Sequence, residues 1–146
     1  MKFLYSAILA MATTALSSPL EEREVQVAHL TFHGGPASYE LAVPADGTVV
    51  QTNSDISINL IDAPDYNAQA QCQFHTAEPV TLQGQISADG TQQIAVGPPQ
   101  PILSVSCLGM CVPTNGVCYN QQGQNVGPCC SGFCAATRCR AWDVNA

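Results

Sequence analysis

Positive charge is what this chain most lacks. Only 4 of its 146 residues are Lys or Arg, against 11 Asp or Glu, for a formal net charge of -7. A surface that tracks nucleic-acid phosphates needs a cation beside each phosphate it neutralises, so the sign of the field excludes nucleic acid as a partner. Anionic lipid is disfavoured on the same ground, which ranks an antimicrobial membrane activity last. Charged residues of both signs make up only 10% of the chain and hydrophobic ones 46%, so it can bury a core and is not a disordered acidic tail. Past the N-terminus no apolar run approaches the roughly 18 residues that a membrane span requires. The length fits one or two small domains.

The first residues read as targeting rather than structure. Met1-Lys2 is a short positive start, Phe3 to Ala12 an apolar stretch, and Ala15-Leu16-Ser17 a small-x-small cleavage pattern. A signal peptide over residues 1–17 and a secreted, extracellular protein are therefore expected. Residues 18–23 are polar and end on Arg23, as in the processed pro-segments of filamentous fungi. An unstructured leader that stays attached is the competing reading.

Cysteines divide the remainder. Cys72 stands alone, whereas Cys107, Cys111, Cys118, Cys129, Cys130, Cys134 and Cys139 fall in the last 40 residues. This asymmetry predicts a β-domain over 24–107 and a cysteine-rich domain over 108–146. An even count in a secreted chain implies a disulfide framework with no free thiol. Zinc is the poorer use, because C-x2-C pairs are missing and no His lies near the cluster.

Residues 25 to 107 read as eight short strands: Val25–His33, Ser38–Val43, Thr48–Thr52, Ile56–Ile61, Ala68–His75, Val80–Ile86, Gln92–Val96 and Ile102–Cys107. Asn53-Ser54-Asp55, Pro64-Asp65 and Gly97-Pro98-Pro99 punctuate them, and no window sustains a helical period. Ile56, Ile58 and Leu60 are expected on one face, and Val80, Leu82 and Ile86 on another. The fold class is all-β, a small sandwich or an open barrel. Ala45-Asp46-Gly47-Thr48 recurs as Ala88-Asp89-Gly90-Thr91, and both copies are expected to turn hairpins. Strand parity points Ala70, Cys72 and Phe74 inward on one strand, and Leu103, Val105 and Cys107 inward on another. A Cys72–Cys107 bridge follows, worth about 3 to 4 kcal/mol in the chain-entropy account.

The other six cysteines read C-x6-C-x10-CC-x3-C-x4-C. This resembles the knottin, or inhibitor cystine knot, pattern, with a ten-residue second loop, Tyr119 to Pro128, longer than is usual there. The resemblance implies Cys111–Cys130, Cys118–Cys134 and Cys129–Cys139. With its signal and pro-segment, the whole arrangement resembles the small cysteine-rich, effector-like secreted proteins of ascomycete fungi. Hydrophobins are excluded because they carry two CC doublets and this chain has one.

Chemistry is sparse. His29 and His33 share a strand face, and His75 could complete a metal site with them, although solvated imidazoles are the better reading. Asp62 and Asp65 flank a turn and could mimic a glycosidase pair, but carboxylates cap turns far more often. No nucleophile elbow is present, so the protein is expected not to be an enzyme and to need no cofactor. Tyr119, Phe133 and Trp142 could form a sugar platform. Hevein-type chitin binders, however, place more residues between the CC and the next Cys, and the bland expectation packs Phe133 on the disulfides and Trp142 on the β-domain. Three functions remain: a monomeric effector-like binder of a host or extracellular protein, which is favoured; a cell-wall polysaccharide binder; and a knottin-type hydrolase inhibitor. Tyr119, Arg138, Arg140 and Trp142 are the expected contacts for a partner. Arg and aromatic residues dominate binding hot spots, and both arginines lie at one end of an otherwise acidic chain, with Asp143 as their competing local partner.

Overall fold

Strands β1 (Val27–Gly34) and β2 (Ala37–Pro44) form a hairpin about Gly35-Pro36, where Gly35 takes the positive φ of 64° that only a residue without Cβ adopts freely. The computed structural model describes residues 25–142. The expected signal peptide 1–17, the pro-segment 18–23 and Asp143 lie outside the described residues. After β2 the chain runs through β3 (Val50–Gln51), β4 (Ile58–Ala63), a single helical turn α1 (Ala68–Gln71), β5 (Cys72–His75), β6 (Thr81–Ile86), β7 (Gln92–Gln100) and β8 (Ser104–Cys107). It ends in a short hairpin of β9 (Cys134–Ala135) and β10 (Arg138–Cys139).

Strands β1 to β8 form two sheets that share one core. One has the order β2-β1-β4-β7-β6 and the other β3-β8-β5, and every named pairing is antiparallel. The fold is an all-β sandwich and not an open barrel. Alternation explains the core: Ala28, Leu30 and Phe32 of β1 point inward, opposite Val43, Leu41 and Tyr39 of β2. Phe32, Ile61 and Ile94 continue the row across β4 and β7. Full burial of each such side chain contributes about 1.5–3 kcal/mol.

Several expectations need correction. In β4 the alternation of Ile56, Ile58 and Leu60 is broken by a register shift between Ile58 and Leu60, so Ile58 and Ile61 are both buried and Leu60 pairs outward with His33. On the partner strand Gly97-Pro98-Pro99 falls inside β7, opposite that irregularity, where Pro need not donate to the ladder. Residues 68–71 are helical because Asn67 caps them, its side chain accepting from the Ala70 N–H; Ala70 is therefore exposed rather than inward. Leu103 precedes β8 and is 45% exposed. Ala88-Asp89-Gly90-Thr91 does turn the β6–β7 hairpin, but Ala45-Asp46-Gly47-Thr48 carries the chain from one sheet to the other. Both copies nonetheless fold alike: each Asp accepts from the Thr N–H two residues on, and the glycines take φ of 88° and 87°.

Cys72 and Cys107 are direct partners across β5 and β8, with Cα atoms 4.0 Å apart, and they are bridged. The tail is linked Cys111–Cys130, Cys118–Cys134 and Cys129–Cys139, the order that the cystine-knot pattern implies. The tail meets the sandwich well beyond the join from Cys107 to Cys111. Cys111 and Cys130 belong to the sandwich core itself. The Gln26 side chain accepts from the Cys111 N–H at 2.7 Å and donates to the Cys111 carbonyl at 3.0 Å. The buried Tyr66 hydroxyl donates to the Gly109 carbonyl at 2.5 Å, and Asn67 donates to the Cys129 carbonyl at 3.0 Å.

Because these bonds tie the two halves together, the oxidised protein should unfold in one cooperative transition, and Gln26→Ala should lower its stability by about 1–3 kcal/mol in urea titration. Two resolved transitions would show that the halves are independent. Burial raises the Tyr66 phenol above its usual 10.0, and Tyr39 is raised for the same reason. A folded value above the unfolded one means that the stability is present below the unfolded pKa and is lost as the pH climbs through the folded one. Tyr66→Phe should therefore reduce, without abolishing, the alkaline loss of stability above pH 10, as followed by circular dichroism.

Candidate functional site

The tail is built on buried sulfur. Cys118, Cys129 and Cys139 place their sulfurs within 4.8 Å of one another, and all three are engaged in two disulfides that leave no thiolate for a metal. Around them the backbone forms a small sheet. The β9–β10 hairpin gains a third strand through a Val117–Arg138 bridge, framed by Cys139 N–H to Gly116 O at 2.8 Å and Cys118 N–H to Thr137 O at 2.9 Å. Cys118 and Cys139 point inward, so parity turns Val117, Tyr119 and Arg138 to solvent on one face.

The long second loop is ordered by one side chain. Tyr119 bridges Asn125, and the Asn120 Oδ1 accepts from the N–H groups of Gln122 at 3.0 Å and Gln124 at 2.9 Å. This is turn chemistry that Asn favours, and Gly123 with φ of 73° completes it. The result is a fixed hairpin displaying Tyr119, 41% exposed, and Val126, 56% exposed.

Of the four expected contacts the structure brings Tyr119 and Arg138 onto this face. Arg138 donates from Nη1 to the Asn115 carbonyl at 3.0 Å, and neither Arg138 nor Arg140 makes an ion pair among the described residues. Arg140 lies two residues along, exposed, on the other side of buried Cys139. Trp142 is elsewhere. Its ring stacks on Phe133 at 4.6 Å, its Nε1 donates to the Ser131 carbonyl at 2.7 Å, and its backbone lies against Gly90 in the β6–β7 turn. Phe133 and Trp142 thus form an aromatic pair at the seam between tail and sandwich.

That seam holds a groove of about 520 Å³ walled by Asn67, Gln69 and Ala70 at α1, Gly84 to Ile86 of β6, Gln92, Gly132 and Trp142. A second hollow of about 200 Å³ adjoins it, sharing Asn67 and Gly132 and reaching Tyr119 and Asn125. The groove was missed from sequence, although one signal was present. Gln92 shares strand parity with the buried Ile94 and Val96 and so had to face inward despite its polarity.

The histidines do not converge. His29 and His33 lie on the outer face of β1, while His75 is on β5 in the other sheet. Each of the first two is engaged by a carboxylate, His29 Nδ1 to Asp65 Oδ2 at 2.5 Å and His33 Nε2 to Asp62 Oδ2 at 2.6 Å. Gln93 holds the second Asp62 oxygen at 2.6 Å. The three-imidazole site is therefore not assembled, and Asp62 and Asp65 serve separate imidazoles instead of facing each other as a catalytic pair. No protein-family model, curated protein or solved structure matches the chain.

The turn between β9 and β10 carries Ala136 at φ 52° and Thr137 at φ 66°. Positive φ at both central residues is the geometry that Asn-Gly adopts with least strain, and a β-branched Thr there is costly. Replacing the pair, Ala136→Asn with Thr137→Gly, should raise stability by roughly 1–3 kcal/mol while retaining the disulfide pattern. Chemical denaturation with non-reducing peptide mapping measures both, and a destabilised variant would refute the strained-turn account.

Proposed function

We propose that this is a secreted, effector-like binding protein without catalytic activity, whose disulfide-fixed tail recognises a host or other extracellular protein. The observation that supports it is the exposed face of Val117, Tyr119 and Arg138, with Val126 beside it and Arg140 at its end, on a backbone already tied by three bridges. Aromatic and Arg side chains carry most of the affinity in protein interfaces, because they offer large areas with few rotamers to immobilise. A scaffold that is rigid before binding loses little ordering entropy on association. Charge adds direction: Arg138 and Arg140 are the only cations among residues 25–142, which also hold seven carboxylates, so this end would meet an acidic patch first.

Four disulfides suit an oxidising, extracellular setting, and no helix among the described residues is long and apolar enough to cross a membrane. In binding assays against extracellular and membrane proteins of a host, the Arg138→Ala, Arg140→Ala double variant and Tyr119→Ala should each fold normally and lose binding at least tenfold. Undiminished binding by both would remove the tail face from the reading and transfer it to the outer face of β1 and β4.

A further inference from the structure

The groove at the seam is a second and chemically different surface. Among the described residues, none of the side chains that line it or the adjoining hollow carries a formal charge. A phosphate, carboxylate or ammonium ligand would therefore find no counter-ion, and desolvating it there would go uncompensated. Its apolar surface, chiefly Ala70, Ile86 and Trp142, is interrupted by about as much polar surface, so it does not form the continuous apolar lining that a lipid chain needs. Carboxamides are what it offers in quantity. Asn67 and Gln92 are buried and joined, with the Gln92 Nε2 donating to the Asn67 Oδ1 at 3.1 Å, and Gln69 stands exposed at the rim over Gly84. The Gln92 Oε1 is buried with no hydrogen-bond partner among the described residues, in a residue only 8% exposed. An unpartnered acceptor of this kind is costly, and a turn of the Gln92 side chain toward the groove would offer it to a hydroxyl or amide donor there.

One wall is aromatic and rigid. Trp142 is braced by the stack on Phe133 and by its Nε1 bond to Ser131 O, so its polar atom is already used and the ring contributes only apolar surface. Gly132, at φ 83°, lets the chain pass within contact of both Gln92 and Trp142, where a Cβ would crowd the Gln92 Nε2 at 3.3 Å. An aromatic wall opposite several carboxamides, without charge, matches a ligand that has apolar ring faces edged by many hydroxyls. We infer that this groove binds a neutral carbohydrate, a short oligosaccharide running from Trp142 past Asn67 toward Tyr119. Its volume of about 520 Å³ lies within the range of roughly 300–1,000 Å³ found for small-molecule sites. This inference is carried by the seam, where Trp142, Gln69 and Gln92 lie, and meets the protein-binding face only at Tyr119, at the far end of the adjoining hollow.

Trp142, the only tryptophan of the chain, reports directly on the site. The oxidised full-length protein should be titrated with the β-1,4-linked trisaccharides of N-acetylglucosamine and of glucose and with a mannose trisaccharide, following tryptophan emission and calorimetric heat. At least one should bind saturably in the millimolar range or tighter with a shift in emission. Gln69→Ala, an exposed rim position, and Trp142→Ala should each weaken that binding at least fivefold by calorimetry. Gln83→Ala, on the same strand as Gly84 but outside the groove, should leave it unchanged. No saturable binding of any of the three sugars would overturn the inference, as would binding indifferent to both groove substitutions in variants with wild-type circular dichroism.

Discussion

The Cys111–Cys130 disulfide sits where the two halves of the molecule become one. Cys111 is fully buried, and both residues are packed in the same cluster as Phe32, Ile61 and Val105, so the tail's first bridge is also part of the sandwich core. A segment as short as the tail buries only a small cluster of its own, Val112 with Cys118, Cys129 and Cys139, and bridges alone constrain only its unfolded state. By lending one bridge to the larger core, the tail acquires apolar burial as well. Gln26, Tyr66 and Asn67 then satisfy backbone groups at Cys111, Gly109 and Cys129 that burial would otherwise leave bare.

The surfaces follow from this docking. Because the tail is held from behind, its solvent side is free to display Val117, Tyr119 and Arg138, and the Asn120-ordered loop stands beside them. Because it lies against the sandwich, it also creates the seam in which Gln92, Asn67 and Trp142 meet. One contact thus supports two candidate surfaces of opposite character. One is exposed and carries both arginines, the other is recessed and lined by uncharged side chains.

The scarcity of charge has a structural counterpart on the sandwich. Its outer face relies on paired polar groups, His33 with Asp62 and Gln93, His29 with Asp65, and Gln85 with Gln93 at 3.1 Å. Cross-strand pairs such as His33 with Asp62 stabilise a sheet modestly, by about 0.2–1 kcal/mol each, and with the loop contact of Asp65 they account for residues whose types alone suggested catalysis or metal binding.

Period-two alternation and turn residues are local properties. The all-β class, the rough positions of eight strands and the inward parity of Cys72 and Cys107 could therefore be read from the chain directly. The tail pairing came through a resemblance in cysteine spacing, since nearby cysteines by themselves admit many partners. What could not be read depends on which segments become neighbours in space. The shift at Asn59 that buries both Ile58 and Ile61, the capping of residues 68–71 by Asn67, and the different uses of two identical Ala-Asp-Gly-Thr turns were settled by partners on other strands. The separation of His75 from His29 and His33 likewise required knowing which sheet each strand joins. The seam groove was the least legible feature. Its walls come from positions 67 to 142, and only long-range packing, driven by burial of Cys111 and Cys130 in a core begun before residue 30, brings them to one place.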